Sequence, residues 1–349
     1  MRICLSFAPM LKKSYIVILL LFVLINSCKT DFNIIAPYKQ TTVVYGLLDP
    51  GSTVQYIKIN KAFLGEGNAL VMAQQADSIN YPPGSLDVSL QLLSNFGQVA
   101  QTYQLDTTTL IPKDPGIFSN PYQVLYKSKP GDVSWQYNAS YNLVIRNKSD
   151  QTTLSSSTLT VGAILDTTDI RPGPSEPINF TGSGGSPKYQ VQFIAATNGR
   201  LYSLIIRFLF TEINIATHDT TFNKAVDWNQ GTVKAQHLNG TEQIIFEFNR
   251  ADFYTFLESQ LTASPTIKRI ANAKPLDFII TYAGDDLSTY IDVNQPSIGI
   301  IQQKPEYSNI TGGIGIFSSR SSLNLYRGMD NDSQDSLING QYTKSLNFQ

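Results

Sequence analysis

The chain has 349 residues, with 26 basic against 27 acidic side chains, and 42% of it is hydrophobic. A near-neutral charge without a basic stripe argues against a nucleic-acid surface, and the apolar fraction suffices for an ordinary core. Cys4 and Cys28 are the only cysteines, too few for a disulfide framework.

In chain order, the first element is the apolar run "YIVILLLFVLINSCKT", Tyr15 to Thr30. Arg2, Lys12 and Lys13 precede it, and its core from Tyr15 to Ile25 is shorter than the roughly 20 residues that a membrane-crossing helix needs. A positive flank, a short apolar core and a small residue before a break describe an export signal. Ile25-Asn26-Ser27-Cys28 resembles the bacterial lipobox, in the form tolerant of Asn26 that Bacteroidota use; there the cysteine is lipidated and becomes the new N-terminus. The expectation is a signal peptide over 1–27, Cys28 carrying palmitate and related acyl chains, a tether over 28–40, and an outer-membrane location on its periplasmic or outer face. Met10 opens a better-proportioned signal than Met1. Cleavage removes Cys4 and lipidation blocks Cys28, so no disulfide is expected in the mature chain.

From Thr41 the apolar period is two. "VSLQLLS" places Val88, Leu90 and Leu92 on one face, "YQVLYKS" places Tyr122, Val124 and Tyr126 together, and "YNLVIRN" does so with Tyr141, Leu143 and Ile145. With "TTVVYGL" at Thr41, "VQYIKIN" at Val54, "VAQTYQL" at Val99 and "STLTVGA" at Ser157, about seven strands predict an immunoglobulin-like β-sandwich over 41–165. The longest gap, Leu64 to Asp87, reads as a loop with a short helix, and loops of that length inside compact domains are often functional. "DTTDIRPGPSEPINFTGSGGS" predicts a linker over 166–188. A second β-rich domain follows over 189–349, with strands at Tyr189, Leu201, Glu242, Leu276 and Thr289. "NRADFYTFLESQLTA" sets Phe253, Phe256, Leu257 and Leu261 at helical spacing, a single amphipathic helix near 250–262 with Asn249 placed to cap it. The fold class is therefore mostly β.

"VVYGLLDPG" at Val43, "YIKINKAFLG" at Tyr56 and "SNITGGIGIFSS" at Ser308, behind a lipobox, make the chain resemble a family of Bacteroidota lipoproteins, a domain of unknown function. The resemblance implies genes beside TonB-dependent transporters and carries no catalytic residues. In "TGGIGIF" the residues themselves predict a strand with close backbone approach or positive φ at Gly312, Gly313 and Gly315. It lacks the lysine of a phosphate loop.

Candidate chemistry is sparse. His218 and His237 have no metal spacing, and Asp285-Asp286 reads as a turn rather than a carboxylate pair. "MDNDSQD" lacks the glycine and terminal glutamate of a calcium loop and reads as a polar surface loop. Trp135, Tyr137 and Tyr141 alternate on one face, a core pattern rather than a sugar platform. Asp-Ser/Thr-apolar triplets mark Ser78, Thr107, Thr167, Thr220 and Ser336 as candidate O-glycosylation sites of the Bacteroidota type. No metal, cofactor or nucleic acid is expected. The expected function is a non-enzymatic, membrane-anchored accessory that binds a ligand for an outer-membrane transporter. The alternatives are an adhesion or envelope-assembly module and a hydrolase whose carboxylates converge in the fold.

Overall fold

The computed structural model describes residues 41–62, 68–131, 135–166, 169–182, 185–296 and 306–349. Cys28, the signal segment, the tether and Thr167 lie outside the described residues. The fold is mostly β, 46% strand and 14% helical. In chain order the elements are β1 (Thr41–Leu48), β2 (Tyr56–Ala62), α1 (Ala69–Ala73), α2 (Ala76–Ile79), β3 (Leu86–Leu93), β4 (Val99–Thr108), β5 (Leu125–Lys127), β6 (Ser140–Asn147) and β7 (Thr153–Leu159). They continue with β8 (Lys188–Ile194), β9 (Leu201–Asn214), β10 (Thr220–Lys234), β11 (Gln243–Asn249), α3 (Asp252–Gln260), β12 (Ile267–Ala283), α4 (Asp285–Asn294), β13 (Ile314–Arg327) and α5 (Asn331–Asn339).

Eleven strands form one sheet in the order β10-β9-β12-β13-β1-β2-β5-β4-β3-β6-β7, and β8 pairs with β11 separately. Alternation decides which face of each strand is buried. Val44, Leu48, Ile57, Ile59, Val88, Leu90, Tyr141, Leu143 and Ile145 all enter one hydrophobic cluster. The strands around it make a sandwich-like arrangement, and Ser155 on β7 exchanges backbone hydrogen bonds with Thr311 ahead of β13, which fastens its far edge. A second cluster lies between β9, β12 and β13 on one side and β8, β11 and α3 on the other. Tyr202, Leu204, Ile206, Phe208 and Phe210 alternate into it from β9.

β13 joins the two clusters, giving Phe317 to one and Leu325 to the other. It runs parallel to β1 with Gly315 opposite Val44. Gly312 and Gly315 have φ of +83° and +120°, and a Cβ on Gly315 would sit 2.0 Å from the Val44 carbonyl oxygen. The glycine-rich motif is thus a close backbone approach, as its sequence predicts.

Several elements differ from the sequence expectation. The 166–188 stretch, expected as a linker, contributes Ile170, Ile178 and Phe180 to the second cluster. These residues are too widely spaced to show a period, yet backbone bonds from Arg171 to Gln192 and from Ile178 to Gly328 hold them in place. The sheet also runs unbroken past that boundary, through the β1–β13 pair. The strand expected at Thr289 and the turn expected at Asp285-Asp286 are together α4, whose first turn carries both aspartates where the helix dipole favours negative charge. The loop expected at Met329–Asp335 begins α5, with the Asp330 carboxylate accepting from the Ser333 backbone N–H as N-cap. Ala251, not Asn249, is the N-cap of α3; Asn249 instead donates to the Asp252 carboxylate. β10 was not expected; it is exposed along most of its length, and only Val226, Trp228 and Val233 pack, partly buried, against the second core. Tyr122 precedes β5 and is exposed, while Val124 and Tyr126 are buried. Tyr137 is likewise half exposed, while Trp135 and Tyr141 pack in the first core, ring centroids 5.7 Å apart.

Candidate functional site

The face of β1 and β2 turned away from the first core forms the floor of a pocket. Register pairs Tyr45 with Lys58 and Val43 with Asn60, so the alternation that buries Val44, Ile57 and Ile59 also presents these four together on the opposite face. The walls come from the gap singled out in the sequence, which carries α1 and α2, and from the 110–123 connection between β4 and β5. The pocket encloses about 570 Å³, and most of its lining is apolar, including Leu70, Ala73, Ile79, Ile117, Phe118 and Tyr122. That volume lies in the range of small-molecule sites.

Its walls are fixed by buried amide chemistry. Asn60 donates to the Ile79 carbonyl at 2.9 Å and to the Asn80 side-chain oxygen at 3.2 Å. Asn80, 4% exposed, donates to the Ala76 carbonyl at 3.0 Å. The 110–123 wall is tied to α1 by the Ser119 amide donating to Ala73 at 2.8 Å. Leu70 and Phe118 remain 61% and 52% exposed, and Ile117 is exposed beside them, an apolar rim of the kind that marks binding surfaces.

Three lysines line the pocket: Lys58, Lys61 and Lys113. Lys58 donates to the Gln123 side-chain oxygen at 3.2 Å and Lys61 to the Asp77 carbonyl at 2.6 Å. Lys113 lies 4.8 Å from the centre of the Phe118 ring, a cation–π contact. Burial, and then repulsion from Lys113, holds the Lys58 ammonium below the usual lysine range. Burial, and then its hydrogen bond to Tyr290, pushes the Tyr45 phenol up to about 12.

A second concavity is polar. Between β7 and α4, Ser140, Ser157, Thr158, Asn198, Asp285 and Asp286 line about 400 Å³. Both carboxylates are engaged: Arg200 donates to Asp285 at 2.7 Å, and Tyr307 donates its hydroxyl to Asp286 at 2.5 Å. Elsewhere, Asp227 and Asp277 flank Arg207 across β10, β9 and β12, forming an ion row along a sheet face. Two hydrogen bonds from Arg207 hold the Asp227 carboxyl below the usual range, whereas burial pushes the Asp277 carboxyl up.

The other sequence candidates are scattered. Ser78 lies in α2, Thr107 in β4 opposite Tyr126, Thr220 at the exposed start of β10 and Ser336 in α5. His218 and His237 are exposed, and no group of three metal-ligating side chains occurs among the described residues. Among those residues no helix is long and apolar enough to cross a membrane. The pocket lysines were missed in the sequence. The alternation in "YIKINK" was the available signal, placing Lys58 on the face opposite Ile57 and Ile59.

No family model matches the chain, and no curated protein matches it either.

Proposed function

We propose that the chain is a lipid-anchored, non-enzymatic binding module of the cell envelope, tethered through Cys28, that holds a small ligand for a neighbouring outer-membrane transporter. The observation that carries the binding role is the roughly 570 Å³ apolar pocket with its exposed apolar rim. The address rests on the N-terminal sequence, a short apolar run ending at a lipobox cysteine. The transporter partner rests on the family resemblance alone. The hydrolase reading has less support, since Asp285 and Asp286 are adjacent on one helix and each already has a partner.

The binding role is tested by titrating the purified chain with the neutral dye N-phenyl-1-naphthylamine. One saturable site is expected, and it is lost in Ala69→Trp, which places a large ring among the pocket-lining residues. Dye uptake that never saturates, or that Ala69→Trp leaves unchanged, overturns the assignment. The address is tested by Cys28→Ser, which is expected to leave the membrane fraction.

A further inference from the structure

We propose that the pocket's ligand is an amphipathic anion: a small molecule with an apolar body and one terminal carboxylate, the acid group held by Lys58 and Lys113. This rests on the pocket being a binding site.

Charge is the first argument. The chain as a whole is slightly acidic, yet the described lining contains three lysines and neither aspartate nor glutamate. Among the described residues, five lysines elsewhere pair with carboxylates: Lys129 with Asp106, Lys148 with Asp87, Lys188 with Glu247, Lys224 with Glu212 and Lys234 with Asp292. The three pocket lysines meet only neutral groups there: an amide oxygen, a backbone carbonyl and a phenyl ring. An incoming anion therefore breaks no ion pair among the described residues.

Position selects two of the three. Lys58 stands on the pocket floor beside Tyr45 and Lys113 lines the 110–123 wall of the same pocket, so one anion there meets both ammoniums, and their mutual repulsion adds to that preference. Lys61 is held to Asp77 in the α2 wall and is the less available of the three.

The rest of the lining rejects polyhydroxylated ligands. Asn60 and Asn80 are already hydrogen-bonded to Ile79, Ala76 and each other, and Gln123 to Lys58 and the Ile111 carbonyl. A sugar would leave most of its hydroxyls against Leu70, Ala73, Ile117 and Phe118, each losing water without replacement. A long-chain or aromatic carboxylate matches both parts of the lining.

The test compares displacement of bound N-phenyl-1-naphthylamine by dodecanoate, dodecanol and dodecylamine, all below their aggregation concentrations, in the wild-type chain, Lys58→Met, Lys113→Met and the double variant. Dodecanoate is expected to compete at least about tenfold better than dodecanol, and dodecylamine worst. The double variant should lose the preference for dodecanoate while still binding the neutral dye at one saturable site, which also shows that the variant is folded. Lys58→Gln serves the same purpose if the methionine variants fail to fold. If the dye binds saturably but dodecanoate and dodecanol compete equally, or the variants keep the preference, the anion assignment falls and the pocket stands. If the dye does not bind saturably, both fall.

Discussion

Over β9 and β12 the sheet's apolar face is covered by β8, β11, α3 and the 169–182 segment, with Phe180 stacked on Phe253 at 4.2 Å and Trp228 within 6.5 Å of both rings. Over β1 and β2 the cover is two helices of five and four residues, whose buried residues are Ala73 and Ile79 alone, and about 570 Å³ is left open. Both covers close on a floor of alternating strand residues, so the difference lies in what the covering segments supply. A nine-residue helix delivers Phe253, Tyr254 and Leu257 into a close-packed interior. The shorter pair delivers walls. The first arrangement contributes stability, and the second leaves an open, largely apolar volume.

The sharpest way to break this comparison is to truncate an apolar side chain in each cover. Phe253→Ala is expected to cost about 3–5 kcal/mol, because Phe253 is fully buried and touches four other rings. Leu70→Ala, at the pocket rim, is expected to cost less than about 0.5 kcal/mol. Denaturant unfolding measures both, and equal losses would show that the two covers are equivalent.

A smaller effect is expected where the open cover is held in place. Asn80→Ala removes one of the two acceptors of the Asn60 amide and the side-chain donor to the Ala76 carbonyl, leaving buried polar groups short of a partner. It should cost about 1–3 kcal/mol. Unlike Phe253→Ala, it should also weaken dye binding under conditions where the chain remains folded, since α2 forms a wall of the pocket. Unchanged dye affinity would show that the wall does not depend on this amide contact.

How far the sequence disclosed this contrast follows from the same physics. Alternation was legible wherever one strand face meets a core, as in β3, β6, β8 and β9, and helical spacing was legible in α3 because Phe253 and Leu257 both turn inward. β10 was harder to read because its core-facing residues, Val226, Trp228 and Val233, are only partly buried and lie among polar ones, and α4 because its one fully buried residue, Ser288, is polar. Ile170, Ile178 and Phe180 looked like isolated apolar residues in a polar stretch; their burial depends on strands far away in the chain. For the site, the insertion after β2 stood out by its length, but the second wall at 110–123 did not. The grouping of Lys58 with Lys113 requires the fold, since the two lysines lie on separate segments brought together by the pairing of β2 with β5.

Each half also buries a titratable group at a cost, and the two costs have different uses. Asp277 is 3% exposed, and one of its carboxyl oxygens has no hydrogen-bond partner. Burial raises its folded pKa, so the folded state holds a proton more tightly than the unfolded one, and stability falls as pH rises from the ordinary aspartate value through the folded value. Asp277→Asn, which retains an acceptor for Asn324, should raise the melting temperature at pH 7 by about two degrees and lose that advantage at pH 3.

The smallest expected effect is the most telling. Burial and Lys113 lower the folded pKa of Lys58, so the charged form destabilises the fold at neutral pH, and stability recovers as pH rises from the folded value to the ordinary lysine value. Lys58→Met should therefore raise the melting temperature at pH 7 by about one degree, with the gain shrinking toward pH 10. Saturating dodecanoate should reverse the order, stabilising the wild-type chain more than the variant by mass action. A ligand-free gain without that reversal would make Lys58 a packing defect like Asp277. The reversal would show a charge kept at a cost to the empty protein because its ligand repays it.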